Sequence, residues 1–263
     1  MRIDEIEFQS AGCRCHAKCF IPSTWRRPLM LPTVVIVPGG HGFATTAKER
    51  DCGFGLMELA KQFCSDGLVA CGYDGRGQGK SEGVRSGHNL AIEDLEATLA
   101  CIRKECSAVD SNRIGFLGQS LGGMAAVAVA GRDEGVRSMV LWGTLPRYTV
   151  LKMETDKRAE EVLKGLYNEA GGTVPFQDFV RDFQMHDPID LIGGLRIPIL
   201  LAGGSEDNRF FRAHEQAEMF EAAKTSPQVM WLNVKGEPHR FRHWSPPFPV
   251  LAKILSAWFW ETL

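Results

Sequence analysis

The chain has 263 residues, 44% of them hydrophobic and 24% charged, and carries a formal net charge of −2. That length suits a single domain with at most a small insertion, and the composition excludes a disordered, fibrous or coiled-coil polypeptide. The near balance of acidic and basic residues argues against nucleic acid as a partner, because a phosphate backbone demands clustered Lys and Arg, and favours a small-molecule substrate.

The N-terminal stretch from Met1 to Glu7 is charged where a signal peptide would be apolar. No run approaches the roughly 18 uninterrupted apolar residues that a spanning helix needs. The expected setting is cytoplasmic, with no membrane partner. Apolar and polar residues alternate from Ile3 to Phe8 and again from Cys13 to Ile21, which predicts an antiparallel hairpin turning at Ser10-Ala11-Gly12. The even spacing of Cys13, Cys15 and Cys19 puts their sulfurs on one strand face. His16 lies among them, but no C-x-x-C pair accompanies the group as zinc sites usually require. Strand packing, not metal binding, is the reading. The eight cysteines all fall in the first half of the chain and are expected as free thiols.

After a basic loop from Trp25 to Pro32, Thr33-Val34-Val35-Ile36-Val37 reads as a strand buried on both faces. A helix from about Gly55 to Ser65 and a strand from Leu68 to Tyr73 follow. Asn89 is placed to cap a helix carrying Leu90, Leu95, Leu99 and Ile102. A strand over Arg113–Leu117 leads into a small-residue helix from Leu121 to Ala130, and then into a strand over Val136–Trp142. Later elements are a strand over Ile197–Ala202, a helix over Phe211–Ala223, a strand over Val229–Val234 and a C-terminal helix from about Val250. Repeated strand–helix alternation predicts an α/β fold, with a mostly parallel central sheet, an antiparallel N-terminal hairpin and helices on both faces. Residues 145–195 break that pattern, with helical periodicity near Ala159 to Tyr167 and no clear strand. They are read as a small cap inserted into a core made of 1–144 and 196–263, over the sheet's carboxyl edge where ligands bind in such folds.

Gly118-Gln119-Ser120-Leu121-Gly122 falls between a predicted strand and a predicted helix, the setting of a G-x-S-x-G nucleophile elbow. Side chains in place of the two glycines would clash in so tight a turn. The turn lifts the Ser120 hydroxyl off the sheet and leaves the Leu121 N–H at a helix N-terminus, able to donate to a developing oxyanion. A serine nucleophile needs a base, and the base an orienting acid, in the chain order Ser, Asp or Glu, His. Asp207 follows the strand that ends at Ala202 and is the preferred acid, with Glu206 the alternative. His239 and His243 both follow the strand ending at Val234, and His239, nearer the strand, is the preferred base. The second oxyanion donor is expected in Pro38-Gly39-Gly40-His41-Gly42-Phe43. Alignment on His41-Gly42 makes it the Phe43 N–H, the preferred assignment; alignment on Pro38-Gly39 makes it Gly40.

With these motifs in order, the chain resembles the α/β-hydrolase superfamily over nearly its whole length, within it the esterase and peptidase-like branch that carries H-G-F. The matching residues are His41-Gly42-Phe43, the loop Asp74-Gly75-Arg76-Gly77-Gln78-Gly79-Lys80-Ser81, the Ser120 elbow, and the Asp207 and His239 loops. The resemblance implies loop-bracing roles for Asp74 and Arg76, and cofactor-free esterase activity on a small acyl ester. Ser120 would form an acyl-enzyme that a His239-activated water hydrolyses, with activity rising as a histidine loses its proton. Amide, thioester and carbon–carbon cleavage use the same triad, and a non-catalytic binding protein can keep the fold. Trp142, Leu145, Tyr148, Leu163, Leu166, Tyr167, Phe176, Phe179 and Phe183 serve mostly to pack the cap, with Tyr148 and Phe179 as candidates to line an acyl or aromatic pocket. Trp258, Phe259 and Trp260 fit packing of the last helix better than a homodimer contact.

Overall fold

The computed structural model describes residues 1–40, 42–44, 55–84, 88–144, 157–169, 172–207, 213–239 and 248–263. Strands β1 (Arg2–Ser10) and β2 (Cys13–Ile21) pair antiparallel, in register from Arg2↔Ile21 to Ser10↔Cys13. Between them Ala11 (φ 44°) and Gly12 (φ 81°) both take left-handed backbone, a two-residue turn whose twist matches that of the strands it joins. The remaining strands are β3 (Leu31–Val37), β4 (Val69–Asp74), β5 (Val109–Gln119), β6 (Val136–Trp142), β7 (Ile199–Gly204) and β8 (Val229–Val234). Among the described residues they form one eight-stranded sheet, ordered β1-β2-β4-β3-β5-β6-β7-β8. β2 meets β4 antiparallel, and every pairing from β4 through to β8 is parallel.

Among the described residues the α-helices are α1 (Leu56–Ser65), α2 (His88–Glu105), α3 (Leu121–Ala130), α4 (Lys157–Glu169), α5 (Phe176–Met185), α6 (Pro188–Ile192), α7 (Ala213–Ala222) and α8 (Phe248–Thr262). A sheet covered on both sides needs apolar residues at successive strand positions. β3 meets that demand: Val34 to Val37 are each 1% exposed or less. Val35 and Val37 join a core shared with α2, α3, α6 and α7, while Val34 and Ile36 join a second core shared with α1 and α8. Burying each such side chain stabilises the fold by about 1.5–3 kcal/mol. Cys15 and Cys19 lie in the first of these cores, and burial pushes the Cys15 thiol up to about 11. Among the described residues no group of three or more His, Cys, Asp or Glu is arranged to hold a metal ion, and no helix is long and apolar enough to cross a membrane.

Some boundaries differ from the sequence pattern. α2 begins at His88, so Asn89 lies inside its first turn and not at the cap position; helix ends follow the backbone and shift by a residue or so against side-chain preference. β7 begins at Ile199, after Pro198, whose missing N–H cannot join a ladder. The expected start of α7 at Phe211 lies outside the described residues.

α4, α5 and α6 occupy the stretch between β6 and β7. Leu163 of α4 and Phe179 of α5 form an apolar cluster with Met124 of α3, and Leu121, Tyr167, Val174, Phe176 and Val180 pack around it. The Tyr167 hydroxyl is anchored on the carbonyls of Gly172 (2.9 Å) and Val174 (2.6 Å). Ile192 and Leu195 instead join the core on the α3 side of the sheet. Leu145 and Tyr148 lie outside the described residues, as do the side chains of Leu166 and Phe183. At the C-terminus Trp258 and Phe259 sit in the core under α8. Trp260 is 47% exposed and donates to Asp66 O at 3.0 Å, while the Asp66 carboxylate pairs with Lys253 and accepts from Ser256 Oγ at 2.7 Å.

Arg103 of α2 grips Asp133, in the turn before β6, through two hydrogen bonds of 2.7 Å. This holds the Asp133 carboxyl below its ordinary range. A carboxylate whose pKa is lowered on folding stabilises the fold above its unfolded-state pKa of about 4, and that contribution is lost as pH falls through the folded value. Arg103→Ala is expected to cost about 1 kcal/mol at pH 7 by urea unfolding. The gap from wild type should narrow as the pH drops below about 4.

Candidate active site

Ser120 stands where β5 ends and α3 begins, at φ 53° and ψ −120°. Left-handed backbone under a side chain costs on the order of 1–3 kcal/mol and persists only where the surroundings enforce it. Here the Ser120 N–H donates to Trp142 O at 2.9 Å, and the Gly123 N–H donates to Ser120 O at 3.0 Å. The motif's glycines answer to close contacts: a Cβ on Gly122 would lie 2.2 Å from Val37 O, and one on Gly118 would lie 2.6 Å from Gly123 Cα. The serine is half-buried above the carboxyl end of the sheet.

Asp207 lies in the loop after β7, 3% exposed, with its N–H donating to Gly204 O at 3.1 Å. The loops after β7 and β8 are fastened to each other. The Ser205 N–H reaches Val234 O and the Glu206 N–H reaches Glu237 O, both at 2.9 Å, and the Gly236 N–H reaches Ser205 Oγ at 2.8 Å. His239 emerges from this pair of loops. Its Nδ1 is 2.6 Å from Asp207 Oδ2, and its Nε2 is 3.2 Å from Ser120 Oγ. With the Nδ1–H donating to the carboxylate, the lone pair on Nε2 faces the serine hydroxyl and can receive its proton. The structure thus brings Ser120, His239 and Asp207 into one relay. Glu206, the alternative acid, is exposed, and His243, the alternative base, lies outside the described residues.

The two candidate oxyanion donors sit in different surroundings. A Cβ on Gly39 would lie 2.7 Å from Gln119 O and 3.0 Å from Ser120 Cβ, so the Pro38-Gly39-Gly40 turn passes against Ser120. Phe43 is 1% exposed, its ring edge-on to Phe20 at 6.1 Å between centroids and pressed onto Gly72 of β4. His41 lies outside the described residues. Gln78 holds the turn in place: its Nε2 donates to Gly39 O, and its Oε1 accepts from the Gly75 N–H, both at 3.2 Å. The sequence pattern carried no signal for that contact, because Gln78 occupies a variable position of its motif.

The loop after β4 braces the same region. Asp74 Oδ1 accepts the Ala44 N–H at 3.0 Å, and Asp74 O accepts from Ser81 Oγ at 2.6 Å. Arg76 donates to Asp94 through Nε at 2.6 Å and through its backbone N–H at 2.9 Å, and reaches Glu93 at 2.8 Å. Asp94 also accepts from Ser10 Oγ at 2.5 Å. Hydrogen bonds and ion pairing with Glu93 and Asp94 raise the Arg76 pKa against the opposing effect of its burial.

A family model described as serine aminopeptidase, S33, matches residues 34–170, just over half of the chain. The chain belongs to that hydrolase family. Its fold is similar to that of DcsB, solved in complex with its substrate analogue, at 17% identity over all of both chains with a TM-score of 0.71. It is also similar to the Pyrococcus furiosus esterase Pf2001, at 17% identity over 99% of this chain and 91% of that one, TM-score 0.70. A third is Est1E from Butyrivibrio proteoclasticus with ferulic acid bound, at 16% identity over 98% of each chain, TM-score 0.73. At such identities the likeness establishes the α/β-hydrolase fold. No curated protein matches the chain in sequence.

In this α/β-hydrolase, Asp74→Ala leaves the Ala44 N–H without its carboxylate. The variant is expected to lose about 1–3 kcal/mol of unfolding free energy, read by urea denaturation. An unchanged midpoint would mean that the contact contributes nothing to the fold.

Proposed function

We propose that this α/β-hydrolase is a serine hydrolase cleaving carboxylic esters of small or medium acyl groups through an acyl-enzyme on Ser120. One observation carries the reading: the hydrogen-bonded relay from Ser120 Oγ through His239 to the buried Asp207. His239 takes the serine proton as Oγ attacks the acyl carbonyl and returns it to the departing alcohol. It then activates the water that releases the acid. Asp207 holds the imidazole in the required tautomer and steadies the imidazolium. The Leu121 N–H, at the N-terminus of α3, is one oxyanion donor. For the second, the contact between Gly39 and Ser120 supports the Gly40 N–H, and the buried ring of Phe43 supports an anchoring role for that residue. This revises the preference for Phe43 drawn from the H-G-F motif.

Residues 145–195 act in this reading as the cap. Leu121 flanks the nucleophile and packs on the cluster of Leu163 and Phe179, which supports an apolar wall for the acyl group. Phe179 is 2% exposed inside that cluster, which supports packing over pocket lining for this residue. A second reading, cleavage of aminoacyl bonds by the same relay, is favoured by the description of the matching family model.

Hydrolysis of p-nitrophenyl esters from acetyl to lauryl, beside aminoacyl p-nitroanilides, separates the two. Esters are expected to be cleaved by wild type, with a loss of at least about 10⁴-fold in Ser120→Ala. Preference for the anilides would favour the second reading. No turnover of either, together with no fluorophosphonate labelling at Ser120, would overturn both. Gly40→Pro, which deletes the proposed donor, is expected to lower kcat on the preferred ester by about 10²–10³-fold. Wild-type kcat in that variant would return the role to Phe43.

A further inference from the structure

Gly143 follows β6 at φ 57°, its N–H donating to Ala202 O of β7 at 2.8 Å. It belongs to none of the motifs that supply the nucleophile, acid or base. Yet a Cβ on this residue would lie 3.0 Å from both Cε1 and Nδ1 of His239, and 3.7 Å from Asp207 Oδ2. We infer that Gly143 is a positioning residue, whose bare Cα is the floor on which the His239 imidazole rests and which sets the length of the Ser120–His239–Asp207 relay. The inference rests on the triad reading above.

The ring is fixed by contacts of its own. It is held at both nitrogens, 2.6 Å from Asp207 and 3.2 Å from Ser120, so retreat from a Cβ lengthens at least one of those contacts. Asp207 is enclosed and tied through its N–H to Gly204 O. Ser120 is tied through its N–H to Trp142 O, the residue directly before Gly143. One two-residue segment therefore holds the nucleophile by a carbonyl and the base by a bare Cα. Its attachment to Ala202 relates both to the strand that carries the acid. A side chain at 143 also meets left-handed backbone, which L-residues other than Asn and Asp seldom adopt. Steric push and backbone strain both fall on the face of Gly143 that meets His239.

The test compares wild type, Ser120→Ala, Gly143→Ala and Gly143→Asn in the full chain. Asparagine tolerates left-handed backbone, so Gly143→Asn retains the steric push with less strain. Should the alanine variant fail to fold, it carries the test. Three quantities are read: kcat and KM on the preferred p-nitrophenyl ester across pH, the thermal midpoint, and the far-downfield NMR proton of His239 Nδ1. Both variants are expected to lose about 10²-fold in kcat with KM little changed. The pH profile of kcat should differ from that of wild type, because the contact between imidazole and carboxylate is altered. The downfield proton should move or broaden while the chain stays folded. If the variants keep wild-type kcat, pH profile and downfield proton while wild-type turnover depends on Ser120, the Gly143 inference is wrong and the triad reading stands. If wild type shows no turnover that depends on Ser120, the triad reading fails. The downfield proton then decides alone, and an unmoved signal in both variants sinks the positioning role.

Discussion

The left-handed backbone at Ser120 is the constraint on which the rest of the site depends. A residue with a side chain holds φ 53° only because its neighbours leave no alternative. Trp142 O takes its N–H, its own carbonyl starts α3, and the two glycines of the motif let β3 and α3 close around it. That contact with β3 brings the Pro38-Gly39-Gly40 turn against Ser120. The elbow and the neighbouring loop are two sides of one packing solution.

The sheet acts as the alignment frame. Parallel strands end at one edge, so loops leaving β5, β7 and β8 converge there although they come from distant parts of the chain. Two backbone hydrogen bonds and one to Ser205 Oγ, all between the loops after β7 and β8, fix the Asp207 loop relative to the His239 loop. Gly143 adds the contact from β6. All four strands on this side of the sheet thus lead into segments that bear on the two hydrogen bonds joining Ser120, His239 and Asp207.

In the loop after β4, the buried charged groups are paired several times over. Asp94 accepts from Arg76 and Ser10, and Arg76 also reaches Glu93. A buried carboxylate with a single partner leaves its remaining lone pairs unsatisfied and destabilises the fold; one with multiple donors holds its loop in one conformation. Asp74 acts in the same way on the backbone next to Phe43. The charged residues of the β4 loop thereby fix the segment that passes Ser120, through contacts made several residues away from it.

Local pattern sufficed for the hairpin, the parallel strands and the tight turn at Ser120, and it put Ser120, Asp207 and His239 beyond strand ends, because periodicity, turn chemistry and strand-end position are properties of short windows. It left open which oxyanion alignment applies and which acid and base meet. It was silent on Gln78, on Asp94 as the partner of Ser10, and on Gly143. Ser10 and Asp94 are 84 residues apart, and Ser120 and His239 are 119 apart. No window spans such pairs. The sequence alone determined which elements form and which residue types stand at their ends. Only the tertiary structure decided which of those ends touch, because a contact between distant segments is set by how the sheet and helices pack together, and not by any residue's own neighbours.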